Sequence, residues 1–114
     1  MDLSSVPEIT AIQASEAIAA GATILDVREI EEFEAGHILG AISLPLSKIG
    51  EEHQKIKATG TLIVNCRSGA RSARATTFLR SLGIDAINLT GGVIAWTHAG
   101  LPLVTDTDAE AYVA

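Results

Sequence analysis

Residues 61–72, TLIVNCRSGARS, decide the fold. The first five, Thr61 to Asn65, are nearly all apolar, which is typical of a central parallel strand covered on both faces. Beyond the quoted stretch, apolar residues recur at helical spacing and predict a core-facing helix that ends at Gly83. Those residues are Ala75, Phe78, Leu79 and Leu82. The turn between the strand and the helix begins at Cys66.

Strands and helices alternate on either side of this segment. Further strands are predicted at Ile9 and at residues 23–27, 41–44 and 86–89. Helices are predicted after Thr10, which forms a capping box with Gln13, and at residues 31–35, 47–56 and 93–99. This alternation predicts an α/β fold, an open parallel sheet of about five strands with helices on both faces.

The composition is that of one globular domain spanning residues 1–114, with a core from about 9 to 104. Residues 105–114 are acidic and are expected to form a loose tail. The net charge of −6 argues against nucleic acid as a partner. The N-terminus lacks the pattern of a signal peptide, and no apolar stretch is long enough to span a membrane. We therefore expect a cytoplasmic protein without a membrane partner.

Cys66 is the only cysteine. This excludes a disulfide within the chain and a zinc site built from several cysteines. It also means that chemistry at Cys66 has no resolving thiol in the same chain. A small, inert core residue is the alternative reading of a buried cysteine. Its place between a strand and a glycine-containing turn favours a reactive residue instead.

The loop after Cys66 carries features that stabilise an anion. Ligands of open α/β sheets bind beyond the carboxyl ends of strands, where a helix N-terminus offers unpaired N–H groups. Arg67 and Arg71 add two positive charges, and Gly69 lets the backbone turn inward. Ser68 and Ser72 offer hydroxyl donors. Together these features favour the thiolate form of Cys66.

The segment from Cys66 to Ser72 resembles the active-site loop of rhodanese-family sulfurtransferases. Two flanking stretches agree with the same family: residues 25–38, LDVREIEEFEAGHI, and residues 91–102, GGVIAWTHAGLP. The resemblance implies that Cys66 is the catalytic residue. It also implies that the loop binds the substrate through its amides and side chains, those of Arg67, Ser68, Gly69, Ala70, Arg71 and Ser72.

The resemblance further implies a two-step exchange with no metal or organic cofactor. Cys66 takes sulfur from a small anionic donor such as thiosulfate and becomes a persulfide. An external acceptor, either cyanide or a thiol such as that of a thioredoxin-like protein, then removes the sulfur. We expect the basic loop to suit a dianion better than a singly charged donor.

Two other function classes remain open at this point. The first is a persulfide relay or redox-sensing binding module, which would use the same cysteine. The second is a phosphatase or arsenate reductase, but their loops place arginine six positions after the cysteine, where this chain has Ser72.

We expect several residues near the loop to have structural roles. Asp26 and Arg28 are expected to belong to a partly buried set of hydrogen bonds or ion pairs that fixes the turn, with Arg28 paired to Glu32 or Glu34. His37 is expected to be structural, because exchange from a preformed thiolate needs no base. The pair Gly91-Gly92 predicts a tight turn between a strand and a helix and not a phosphate cradle.

Overall fold

A computed structural model describes residues 6–58 and 60–114 of the chain. The strands are β1 (Glu8–Ile9), β2 (Thr23–Asp26), β3 (Ile42–Ser43), β4 (Leu62–Asn65) and β5 (Ala86–Leu89). The helices are α1 (Ala11–Ala19), α2 (Ile30–Ala35), α3 (Leu46–Glu52), α4 (Ala70–Ser81) and α5 (Gly92–His98). A short 3₁₀ turn, His53–Lys55, follows α3.

The five strands form one parallel sheet in the order β1-β5-β4-β2-β3. This confirms the predicted fold class. Strand β4 lies at the centre, and all four of its residues are buried. Asp26 at the end of β2 is in register with Asn65 at the end of β4. The chain therefore leaves both strands at the same edge of the sheet, and that edge carries Cys66.

The core has two parts, one on each face of the sheet. On one face, α3 and α4 pack through residues such as Ile49, Ala75 and Leu79. On the other, α1 and α5 pack through Ala14 and Trp96. Alternate side chains of the central strand point to opposite faces, so β4 contributes to both parts. The sheet is thus covered on both faces, as its apolar sequence predicted.

The helix ends largely follow the sequence signals. The Thr10–Gln13 capping box begins α1, and Gly83, with φ of +85°, follows the end of α4. The prediction for Leu82 was wrong, because this residue is 46% exposed. Leu82 is the C-cap residue and lies just after the last turn of α4.

The C-terminal segment, for which we expected a loose tail, runs back along α2. Val104 forms an antiparallel bridge with His37. Further along, the Tyr112 N–H donates to the Ala35 carbonyl at 2.9 Å. The segment passes so close to Gly36 that a methyl group there would lie 2.6 Å from the Tyr112 carbonyl oxygen. Among the helices of the described ranges, none is long and apolar enough to cross a membrane.

Candidate active site

Cys66 follows directly after the central strand and begins the turn into α4. Its side chain is buried, and its Sγ accepts a hydrogen bond from the Gly69 N–H at 3.1 Å. Gly69 has φ of +105°, which brings its amide back toward the sulfur. A donor aimed at Sγ stabilises negative charge there more than it stabilises the neutral thiol. Local backbone shape therefore directs a hydrogen-bond donor at the sulfur.

Ser72 supplies a second polar group beside the sulfur. Its Oγ lies 3.3 Å from Sγ and also contacts Oδ1 of Asn88 on β5. The Asn88 Nδ2 donates to the Gly69 carbonyl at 3.2 Å, which leaves its Oδ1 free to accept. A hydroxyl has one proton, so Ser72 donates to one of three nearby acceptors at a time: Asn88 Oδ1, the Gly69 carbonyl at 3.2 Å or an ionised Sγ. Asn88 therefore holds both Ser72 and Gly69 in place.

Helix α5 holds the cysteine loop from its other side. The Val93 N–H donates to the Cys66 carbonyl at 2.9 Å, and the Ile94 N–H donates to the Arg67 carbonyl at 3.2 Å. Any side chain at Gly92 would collide with these carbonyls, since a Cβ would lie 2.6 Å from the Arg67 oxygen. The glycine pair is thus a tight turn, as predicted, and it permits this close approach of the backbones.

Both loop arginines are engaged by other parts of the protein. The Arg71 Nη1 and Nη2 donate to the two carboxylate oxygens of Glu32 at 2.7 and 2.9 Å. The hydrogen bond to Arg71 lowers the pKa of Glu32 from 4.5 to about 2, and the same contact raises the pKa of Arg71. Arg67 is exposed, and its Nε donates to the Ala114 carbonyl at 3.0 Å. The positive charge of Arg71 is therefore balanced locally.

Arg28 forms a second and deeper ion pair, but its predicted partners were wrong. Its Nη2 donates to Asp26 at 2.8 Å, and both side chains are fully buried. Nε also donates to this carboxylate, and Nη2 reaches the Gly36 carbonyl at 2.8 Å. Arg28 folds back onto the carboxylate two residues earlier because both side chains leave the same strand end. Glu32, one of the predicted partners, faces α4 instead.

His37 has a structural environment. Its ring stacks on Phe33 with centroids 3.8 Å apart, and Nδ1 lies 2.8 Å from the Phe33 carbonyl. Nε2 lies 3.3 Å from Asp106 of the C-terminal segment. These contacts connect α2 with the tail and leave the ring nitrogens occupied by protein groups.

The predicted site residues around Cys66 divide into three groups. Gly69 and Ser72 contact its sulfur, and Arg71 binds Glu32. Arg67, Ser68 and Ala70 are exposed. Sequence reasoning missed Asn88 and the role of Glu32. A polar residue inside the apolar strand 86–89 was a usable signal for Asn88. The Glu32–Arg71 contact joins residues 39 positions apart and left no local signal.

Comparison with known proteins finds one domain family along most of the chain. The sequence model of the Rhodanese-like domain family matches residues 10–99. A sulfurtransferase from Allochromatium vinosum is 38% identical over 82 residues, covering 71% of this chain and 77% of that protein. Thiosulfate sulfurtransferase 16 of Arabidopsis thaliana is 35% identical over 113 residues, covering 87% of this chain and 94% of that protein.

Other relatives are longer than this chain. An uncharacterised protein of Synechocystis is 41% identical over 87 residues, which cover 75% of this chain and 49% of that protein. The chain thus spans about half the length of this curated relative. Among solved structures, a rhodanese-related protein from Thermoplasma volcanium superposes with a TM-score of 0.81 at 36% identity. That match covers 86% of this chain and 97% of the other.

Proposed function

The chain belongs to the rhodanese-like domain family, and from that premise we propose that it transfers sulfane sulfur through a persulfide on Cys66. The observation that carries the proposal is the placement of Sγ at the carboxyl end of β4, where the Gly69 N–H donates to it at 3.1 Å. A sulfur held in this way is suited to carry the negative charge of the thiolate.

The first half-reaction uses a sulfur donor such as thiosulfate. The Cys66 thiolate attacks the outer sulfur, and a new S–S bond forms to Sγ. The S–S bond of thiosulfate breaks, and sulfite leaves with the electron pair. The outer sulfur of the resulting persulfide carries the negative charge. Electrostatic stabilisation of this anion by fixed donors is the contribution that the loop makes.

The second half-reaction returns the enzyme to its starting state. Cyanide attacks the outer sulfur, a C–S bond forms, and the S–S bond to Sγ breaks. Thiocyanate leaves, and the electron pair of the broken bond regenerates the Cys66 thiolate. A thiol acceptor reacts in the same way and leaves as its own persulfide. Since the chain has no second cysteine, the acceptor comes from outside.

Ser72 and Asn88 support the sulfur during this cycle. The Ser72 hydroxyl, 3.3 Å from Sγ, donates to the ionised sulfur and can turn to Asn88 when Sγ is protonated. Asn88 keeps the Gly69 carbonyl fixed, so the amide of the same residue stays aimed at Sγ. These two residues therefore position the donors, and Cys66 carries the chemistry.

Mass spectrometry tests the proposal directly. Incubation of the folded protein with thiosulfate is expected to add one sulfur atom to Cys66, located by peptide mapping. Addition of cyanide should then remove that atom and release thiocyanate. Cys66→Ser is the matched control and should take up no sulfur.

An unmodified Cys66 in folded protein, after exposure to thiosulfate and to a persulfide donor, would reject the proposal. Hydrolysis of a generic phosphate ester that depends on Cys66 would instead indicate phosphatase chemistry. Binding of a partner protein that is lost in Cys66→Ser, without turnover of free donors, would indicate a relay module.

A further inference from the structure

The two cations expected to attract a dianionic donor do not both act as free charges. Arg71 donates through both terminal nitrogens to Glu32, at 2.7 and 2.9 Å. Arg67 donates to the Ala114 carbonyl. The Glu32 carboxylate therefore offsets the charge of Arg71, whereas Arg67 stays exposed. The loop is therefore less positive than its sequence indicates.

The Glu32–Arg71 pair persists at neutral pH. The hydrogen bond from Arg71 lowers the pKa of Glu32 to about 2, so the carboxylate is ionised at any pH at which the enzyme would work. Both side chains are only partly exposed, 34% for Arg71 and 20% for Glu32. Two parallel N–H to oxygen bonds also fix the orientation of the guanidinium. The Glu32 carboxylate thus places a permanent negative charge at a fixed position beside the loop.

A fixed negative charge acts on donors in proportion to their own charge. The Coulomb energy between Glu32 and a dianion is twice that between Glu32 and a monoanion at the same position. If removal of this charge raises the affinity for a monoanion by some factor, the affinity for a dianion at the same position therefore rises by the square of that factor. Glu32 therefore distinguishes sulfur donors by their net charge.

We infer that Glu32 is a specificity-determining residue that shifts the donor preference of the site away from dianions and toward singly charged sulfur donors. The inference rests on the proposed function. It reduces the preference for a dianion that the basic loop sequence leads one to expect. The donor class it assigns is a monoanion whose outer sulfur is transferable, such as a small persulfide or a thiosulfonate.

Glu32→Gln removes the charge with little change in shape. Glu32 is the third residue of α2, and its Oε1 accepts the Glu29 N–H at 3.1 Å. Glutamine at this position also serves in a capping box, so the start of the helix is kept. Its amide oxygen still accepts one hydrogen bond from Arg71. Glu31→Gln, on the same helix at an exposed residue, is the matched control.

The experiment compares two donors that differ by one charge. Steady-state constants are measured with thiosulfate and with methanethiosulfonate, using cyanide as acceptor, for the wild type and both variants. Glu32→Gln is expected to lower KM about twofold for methanethiosulfonate and about fourfold for thiosulfate, with kcat nearly unchanged. Glu31→Gln should change neither constant. Arg71→Gln, which leaves Glu32 unpaired, should raise KM, more for thiosulfate.

The outcomes separate this inference from the proposed function. If the wild type takes sulfur from neither donor, the proposed function fails and the inference falls with it. If the wild type turns over both donors but Glu32→Gln changes their KM values equally, or no more than Glu31→Gln does, only the role of Glu32 is refuted. If Glu32→Gln does not fold, Glu32→Ala is measured in its place, and equal changes in KM for the two donors would refute the role of Glu32.

Discussion

Two arginine–carboxylate pairs lie at the same edge of the sheet, and they differ in depth. Asp26–Arg28 is fully buried, and its arginine also binds the Gly36 carbonyl. Glu32–Arg71 is partly open to solvent, with 20% and 34% of the side chains exposed. A buried pair is costly to break because the remaining charge has no water around it. The first pair therefore fixes the geometry of the edge, while the second adjusts its charge.

The largest expected effect comes from breaking the buried pair. Arg28→Ala leaves the Asp26 carboxylate buried without its partner and is expected to lower the free energy of unfolding by about 3–5 kcal/mol. Urea unfolding measures this. Arg71→Ala, at the exposed pair, should cost at most about 1 kcal/mol. Equal losses in the two variants would contradict the contrast between the pairs.

A smaller effect should appear when the pH is lowered. The pKa of Glu32 is about 2 in the folded protein, below its ordinary value of 4.5. The pair therefore stabilises the fold fully above pH 4.5, and this contribution is lost as the pH falls toward 2. Because solvent screens the pair, the loss should be at most about 1 kcal/mol. It is measured as unfolding free energy against pH.

Glu32→Gln should remove this part of the pH dependence. The difference in stability between the wild type and the variant is expected to shrink steadily as the pH falls below 4.5. A difference that stays constant down to the lowest pH at which both proteins fold would mean that Glu32 is not held ionised by Arg71.

The smallest expected effect is that of salt. The coupling energy of the partly exposed Glu32–Arg71 pair should fall by a few tenths of a kcal/mol, about half of its value, when salt is raised from 0.01 to about 1 M. The reason is that the Debye screening length shortens to about 3 Å at the higher concentration. A double-mutant cycle with Glu32→Gln and Arg71→Gln measures the coupling energy. The buried pair should show almost no salt dependence in the corresponding cycle with Asp26→Asn and Arg28→Gln. An equal salt dependence of the coupling energy in the two cycles would contradict the proposed difference between the pairs.

Local sequence signals predicted the frame of the molecule. The apolar run of β4, the capping box of Thr10 and Gln13, and the glycine at position 69 each act over a few residues. Their structures could be inferred because the cause and its consequence lie close together in the chain. The position of Cys66 at the end of the central strand followed from the same signals.

The electrostatics of the site could not be predicted in the same way. Arg28 has five carboxylates within six positions, and spacing alone does not rank them. Which one binds depends on the direction in which β2 ends and on the face that α2 presents. Likewise, the contact of Asn88 with Ser72 requires β5 to lie next to β4, a pairing that only the folded sheet establishes. Charge balance at the loop is thus a tertiary property.

The bonds from α5 to the cysteine loop have a consequence for the direction of two peptide dipoles. In a trans peptide the C=O and the N–H point in opposite directions. Since Val93 and Ile94 hold the carbonyls of residues 66 and 67, the N–H groups of residues 67 and 68 are turned away from α5. A helix that is distant in sequence thereby sets the direction in which the loop amides point. A side chain at Gly92 would change the orientation of these two peptides without contacting the sulfur.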